Sequence, residues 1–174
     1  MSAHYTYLLS SLPMLHFGIK PPLSFDKFIR TCTGLIPQGE LEMLKGLTHA
    51  GVSLYKERQP TLKKWSAFEK TLRNELVKIR AQRKRVNPDK YLREEDYAEP
   101  QTSRVAMNAL KNPSIIEGEN YLDQQRWRVL DELSAGHYFD IDALIVYALK
   151  LLILERWERI DSADKSGLLE EALA

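Results

Sequence analysis

Apolar residues recur along most of this chain at intervals of three and four, the spacing that places side chains on one face of an α-helix. The longest such segment begins at Pro60 or Thr61 and ends near Val86, where the following Asn87-Pro88 stops a helix. Lysine, arginine and glutamate fill the intervening positions, so the pattern predicts one long amphipathic helix. Its apolar face comprises Leu62, Trp65, Phe68, Leu72, Leu76 and Ile79.

Shorter helices are predicted before it. Residues 5–12 fit either a helical turn or a strand, and we favour the helix. Ser24 is a good N-cap for a short amphipathic helix that Gly34 ends. Pro37 begins another short helix, whose leucines lie on one side.

The second half of the chain also shows helical periodicity. A short helix is expected over 103–111, followed by Asn112-Pro113 as the cap and first residue of a helix that Gly136 ends. Gly118 weakens the first turns of that helix. Ser162 to Asp164 begin a last short helix that ends near Leu173.

The segment 141–160, between the helix that Gly136 ends and the last short helix, is predicted to be a buried helix capped by Asp140. From Ala143 to Leu154 its apolar residues point in all directions rather than along one stripe, which is typical of a buried helix. Lys150 interrupts the run, which is shorter than the roughly 20 residues needed to cross a bilayer.

These elements predict an all-α protein, an irregular helical bundle with one long amphipathic helix and a buried apolar helix near the C-terminus. No strand pair, hairpin signal or internal repeat is evident. We expect an N-terminal helical part at 1–90, an acidic connection at 91–102, and a C-terminal helical part at 103–174 that packs on the first as one compact unit.

Composition gives no reason to expect a polyanionic partner. Lys+Arg number 25 and Asp+Glu 24, a formal net charge of +1. The single Cys32 has no second cysteine to pair with, and no signal peptide opens the chain, so we expect a cytoplasmic protein.

No catalytic, cofactor or metal site is expected. The histidines at 4, 16, 49 and 137 have no partner at zinc spacing, and the glycines form no phosphate-binding loop. The two carboxylates Asp140 and Asp142 are explained as an N-cap and a favourable charge in the first helical turn. We therefore expect a protein that is not an enzyme.

Two groups of charged residues and the tryptophans are the candidate functional positions. The end of the long helix could contact a polyanion, although a solvated helix end explains the same charges: Lys78, Arg80, Arg83, Lys84 and Arg85. An interhelical ion-pair network is expected among Asp123, Arg126, Asp131, Lys150, Glu155 and Arg156. A core role is favoured over an interface role for Trp65, Trp127 and Trp157.

Two blocks of the sequence resemble a bacterial family of uncharacterised proteins encoded in V-type ATPase operons. The first runs from Tyr5 to Pro13 and continues through Pro-Pro-Leu-Ser-Phe to a short helix with Cys32. The second comprises Asn112-Pro113, Leu122-Asp123, Arg126-Trp127 and residues 130–133, 139–142 and 147–157.

The resemblance implies a non-catalytic cytoplasmic subunit or accessory protein of the ATPase, peripheral to the inner membrane through that complex. It also implies a counterpart of the helical C subunit (eukaryotic d), which couples the stalk to the rotor ring. The chain departs from the C subunit because it is shorter and has no repeat, and Gly118 departs from the family pattern. The alternative is a helical nucleic-acid-binding or regulatory domain that uses Lys78 to Arg85.

Overall fold

The chain is helical throughout the part that the computed structural model describes, which is residues 5–47, 59–93 and 100–173, with side chains up to 163. Seven α-helices and a single 3₁₀ turn, Asp89–Tyr91, occur in these residues, and no strand does. The helices are α1 Thr6–Ser11, α2 Phe25–Cys32, α3 Gln38–Lys45, α4 Pro60–Lys84, α5 Pro100–Ala109, α6 Ile115–Leu133 and α7 Ile141–Leu173. The all-α prediction is confirmed. None of these helices has the length and apolar character needed to cross a membrane.

The chain divides into two compact units. The terminal unit comprises Met1–Leu54 and Leu130–Ala174, and the central unit is Tyr55–Val129. The division differs from the boundary expected at 91–102, because the connection there joins α4 and α5, which pack against each other inside the central unit. The acidic residues 94–99 lie outside the described part of the chain.

The terminal unit is built around the first half of α7, on which α2 and α3 pack. Leu144, Ile145 and Leu151 are completely buried, as are Phe28 of α2 and Leu44 of α3. The prediction that 143–154 forms a largely buried helix is confirmed, because buried positions occur on all sides of this segment.

Aromatic and polar contacts extend this core. The ring centroids of Phe28 and Tyr147 lie 5.3 Å apart, and the Tyr147 hydroxyl donates to the Pro13 carbonyl over 2.9 Å. Cys32 is completely buried, and burial raises the pKa of its thiol to about 11. Its predicted role as a small hydrophobic core residue agrees with this burial.

The central unit has its own apolar core, in which α4, α5 and α6 meet. The buried members are Leu72, Leu76, Ala106, Ala109 and Leu122, and partly buried apolar residues such as Phe68 and Tyr121 pack around them. Asn74 of α4 is buried and exchanges two hydrogen bonds with the Arg93 backbone, at 2.7 and 3.0 Å. These bonds hold the segment after the 3₁₀ turn against α4.

The helix ends correct several sequence predictions. α4 ends at Lys84, two residues before the predicted end near Val86, because Arg85 adopts a left-handed conformation with φ of 56° and the Val86 N–H bonds to the Ala81 carbonyl. The cap of α6 is Ser114, whose Oγ accepts from the Glu117 N–H over 3.1 Å.

Asn112 therefore does not cap α6. Its side-chain amide donates to the carbonyls of Asn108 and Ala109, so it closes the end of α5 instead. The expected break at Ser162 is also wrong, because α7 continues without interruption to Leu173. A residue type that favours capping therefore marks a helix boundary only where the backbone hydrogen bonds of the preceding helix also stop.

Candidate functional site

The loop between α6 and α7 belongs to the terminal unit and has a defined conformation. Gly136 ends the α6 segment with φ of +86°, a value that glycine adopts without strain. The His137 N–H then donates to the Ser134 carbonyl over 2.9 Å. Asp140 begins α7 as its N-cap, with its Oδ1 accepting from the Ala143 N–H over 3.1 Å.

The start of α1 holds this loop from one side. The Tyr5 N–H donates to the Phe139 carbonyl over 2.5 Å, and the Tyr5 hydroxyl donates to Glu40 of α3 over 2.5 Å. Burial and, to a smaller extent, the Glu40 carboxylate raise the pKa of Tyr5 above its usual value. One buried tyrosine therefore ties the loop to α3.

Three aromatic side chains near this junction are exposed. Tyr138 is 73% exposed, Phe139 42% and Tyr7 81%. Tyr7 follows Tyr5 by two residues, so the Cα atoms of Tyr7 and Tyr5 lie within about 8 Å of each other. Tyr5 in turn is hydrogen-bonded to the Phe139 carbonyl. We call Tyr7, Tyr138 and Phe139 the aromatic surface. Exposed aromatic groups on a fixed backbone are typical of protein-binding sites.

Directly beside Tyr138 and Phe139, three side chains of types that can bind a metal ion lie close together. His137 Nδ1 lies 2.6 Å from Asp140 Oδ2 and 3.7 Å from Asp142 Oδ2. One ligand atom from each residue lies within 4.8 Å of the others. We call these three residues the His–Asp cluster. The sequence prediction treated Asp140 and Asp142 as capping residues and gave His137 no partner, so it missed this grouping.

The charge state of Asp140 follows from its neighbours. Burial raises the pKa of its carboxyl, but the hydrogen bonds with His137 and the Ala143 N–H lower it by more, so the net pKa is below the usual value. Asp140 therefore carries a negative charge at neutral pH.

Arg126 of the central unit pairs with two carboxylates. Its guanidinium contacts Asp123 at 2.8 Å within α6 and Glu69 of α4 at 2.7 and 3.3 Å. Asp123 is 1% exposed. Burial lowers the pKa of Arg126, but the two carboxylates raise it by more, to above its usual value. The interhelical partner, Glu69, was not among the predicted residues.

The other predicted network residues lie in the terminal unit. Lys150 of α7 contacts Asp131 at the end of α6 over 2.5 Å, as the sequence suggested. Glu155 differs from the prediction: its Oε1 accepts from the Phe25 N–H over 2.6 Å, so it caps α2 together with Ser24. The Arg156 guanidinium lies 5.9 Å from the centre of the Trp157 ring, within cation–π distance.

The tryptophans differ in burial. Trp65 is 5% exposed and contacts Phe68 with ring centroids 5.7 Å apart, which agrees with a core role. Trp127 and Trp157 are partly buried. Among the residues whose side chains are described, the most exposed tyrosines are instead Tyr7 and Tyr138, which the sequence prediction did not select.

The predicted polyanion contact lies at the end of α4. Arg80, Arg83, Lys84 and Arg85 are exposed. Lys78 instead contacts Glu75 at 2.6 Å, and Arg83 donates to the Leu110 carbonyl over 3.0 Å. Two of the five side chains are therefore already engaged within the central unit.

Part of the chain matches a family of unknown function. Residues 101–171 match the model of a family described as a protein of unknown function, DUF2764. No curated protein and no solved structure matches the chain. The matched segment includes α6, the loop with the aromatic surface residues 138 and 139, and most of α7.

Proposed function

We propose that this protein is a non-catalytic subunit or accessory protein of a bacterial V-type ATPase, and that it binds stalk or rotor-associated subunits. The aromatic surface is the binding site in this proposal. The observation that carries it is the exposure of Tyr7, Tyr138 and Phe139 on backbone that Tyr5 holds in place.

The location of this surface supports the proposed partner. Residues 5–13 and 139–142 belong to the two blocks that resemble proteins encoded in V-type ATPase operons. The hydrogen bond between the Tyr5 N–H and the Phe139 carbonyl joins these two blocks directly. Two segments that are far apart in sequence, one from each block, thus meet at this junction.

Binding energy is also available there. Tyrosine and phenylalanine bury a large area when they dock and lose few rotatable bonds, so they anchor many protein interfaces. Because the backbone beneath them is already hydrogen-bonded, little further ordering is required on binding.

A pull-down from the native host tests the proposal. Tagged wild-type chain should recover V-type ATPase subunits, and a Tyr7→Ala/Tyr138→Ala double variant should recover at least about tenfold less, since loss of two hot-spot aromatics costs more than 1.4 kcal/mol. Tyr91→Ala is the matched control, because Tyr91 is 57% exposed in the central unit. Recovery of an unrelated stoichiometric partner without ATPase subunits would contradict the proposal.

The non-catalytic part needs its own measurement. The purified chain should hydrolyse ATP no faster than a buffer blank, because its glycines form no phosphate-binding loop. ATP turnover that follows the protein through successive columns would contradict this expectation.

A second candidate is polyanion binding by the end of α4, which rests on the exposure of Arg80, Lys84 and Arg85. So few charges can neutralise only a few phosphates, so we expect at most weak, salt-sensitive and sequence-indifferent binding, a result that would leave the ATPase proposal in place. Titration with short duplexes at physiological salt tests it. Tight, base-selective binding lost in Arg83→Ala/Arg85→Ala would favour this candidate over the ATPase proposal.

A further inference from the structure

The His–Asp cluster combines two kinds of metal ligand on one short stretch of chain. His137 offers an imidazole nitrogen, and Asp140 and Asp142 each offer a carboxylate oxygen. The three side chains are 38%, 19% and 17% exposed, so an ion from solution could reach them while most of each carboxylate is shielded from water.

Asp140 can serve two purposes because its oxygens face different groups. Oδ1 accepts from the Ala143 N–H as the N-cap of α7, whereas Oδ2 faces His137 Nδ1. An ion held by Oδ2 therefore leaves the helix cap intact.

The distances are close to those that a coordinated ion requires. Zinc binds imidazole nitrogen and carboxylate oxygen at about 2.0–2.2 Å, which places two ligand atoms of a tetrahedral site about 3.4 Å apart. The nitrogen–oxygen distances here are 2.6 and 3.7 Å. Each of these distances differs from the required separation by less than about 1 Å.

We propose that His137, Asp140 and Asp142 bind a divalent transition-metal ion of the zinc type. One imidazole with two carboxylates gives three protein ligands, and water completes the coordination shell. Magnesium and calcium prefer oxygen ligands alone, so the histidine selects against them. This inference does not depend on the proposed ATPase role.

Two opposing electrostatic effects act on a cation at the start of α7. The positive end of the helix dipole opposes a cation at this position. Two carboxylates at the site, with Asp140 ionised at neutral pH, contribute a larger and closer negative charge. A dication bound by both carboxylates is fully compensated in charge.

Calorimetric titration of the full chain with Zn²⁺ at neutral pH tests the site. Wild type should bind one ion, and His137→Gln and Asp142→Asn should each weaken its binding by at least about tenfold. Loss of a metal ligand lowers metal affinity more than loss of a residue that only supports a ligand. Asp140→Asn keeps a good N-cap but removes the charge, so it should weaken binding with helix content unchanged.

The control is His16→Ala, because His16 is an exposed histidine outside the cluster. It should bind Zn²⁺ like the wild type. Circular dichroism confirms that each variant remains folded. The site would be overturned by the absence of saturable Zn²⁺ binding, by equal affinity in wild type and Asp142→Asn, or by Mg²⁺ binding as tightly as Zn²⁺.

Discussion

Replacement of Arg126 by methionine tests how the central unit is held together. The guanidinium lies between Glu69 on α4 and Asp123 on α6, and its side chain is 17% exposed. Methionine retains most of the aliphatic length but removes the charge and all the donors. The Asp123 carboxylate, at 1% exposure, then stays buried without the guanidinium.

The expected magnitude follows from this difference in burial. Removal of one partner of a buried ion pair costs about 3–5 kcal/mol. Glu69 is 29% exposed and can regain water, whereas Asp123 cannot, so we expect a value of about 3 kcal/mol, at the lower end of that range. Glu69→Gln should cost only about 1 kcal/mol, since Arg126 keeps Asp123.

Urea unfolding followed by tryptophan fluorescence measures these losses, because Trp65 and Trp127 both lie in the central unit. The control is Arg128→Met, an exposed arginine on the same helix, which should change stability by no more than about 0.5 kcal/mol. If Arg126→Met and Arg128→Met destabilise the protein equally, the ion pairs of Arg126 do not stabilise the central unit.

Three further substitutions have definite expected outcomes. Gly118→Ala should lower the melting temperature, because the new Cβ would lie 2.8 Å from the Ala109 carbonyl oxygen and such overpacking costs about 1–3 kcal/mol. Gly39→Ala should not lower the melting temperature, because Gly39 lies in α3 with open space where its Cβ would be. An equal effect at both positions would refute the close approach of Gly118 to the Ala109 carbonyl. Asp140→Ala should cost about 0.5–2 kcal/mol in urea unfolding at neutral pH. The pKa of Asp140 is lowered in the folded state. The difference in unfolding free energy between wild type and Asp140→Ala should therefore have its full size above the ordinary pKa of 3.8 and shrink as pH falls through the folded pKa. A difference that does not change with pH would contradict the pairing of Asp140 with His137. Leu149→Ala should cost about 2–5 kcal/mol in the same assay, and a loss below 1 kcal/mol would show that α7 is loosely packed.

Periodicity was sufficient to predict most of the helices. In α4 the apolar residues determine the face that must be buried, and in the first half of α7 they determine burial on all sides. The presence of α4, the first half of α7 and the burial of 143–154 therefore followed from the sequence, whereas the continuation of α7 to Leu173 did not. Helix ends depend on local competition for hydrogen bonds. Asn112 could cap α6 or close α5, and only the folded backbone decides between these roles.

The candidate sites were harder to predict because they depend on contacts between elements. Glu69 follows Trp65 by four residues and therefore lies on the apolar face of α4, which was a usable signal for a buried partner. No comparable signal pointed to Tyr7, since its exposure depends on how α1 docks through Tyr5. The His–Asp cluster was visible in the spacing of 137, 140 and 142, but helix capping explained the two acids without the histidine.

Photo-crosslinking in the native host tests the central claim most directly. A benzophenone amino acid in place of Tyr138 would sit on the aromatic surface, and the same replacement at Tyr91 provides the control in the central unit. We predict that the chain crosslinks through position 138 to a stalk or rotor-side subunit of a V-type ATPase, and that position 91 gives no such product. Crosslinking from position 138 only to proteins unrelated to that ATPase, or equally from both positions, would contradict the account.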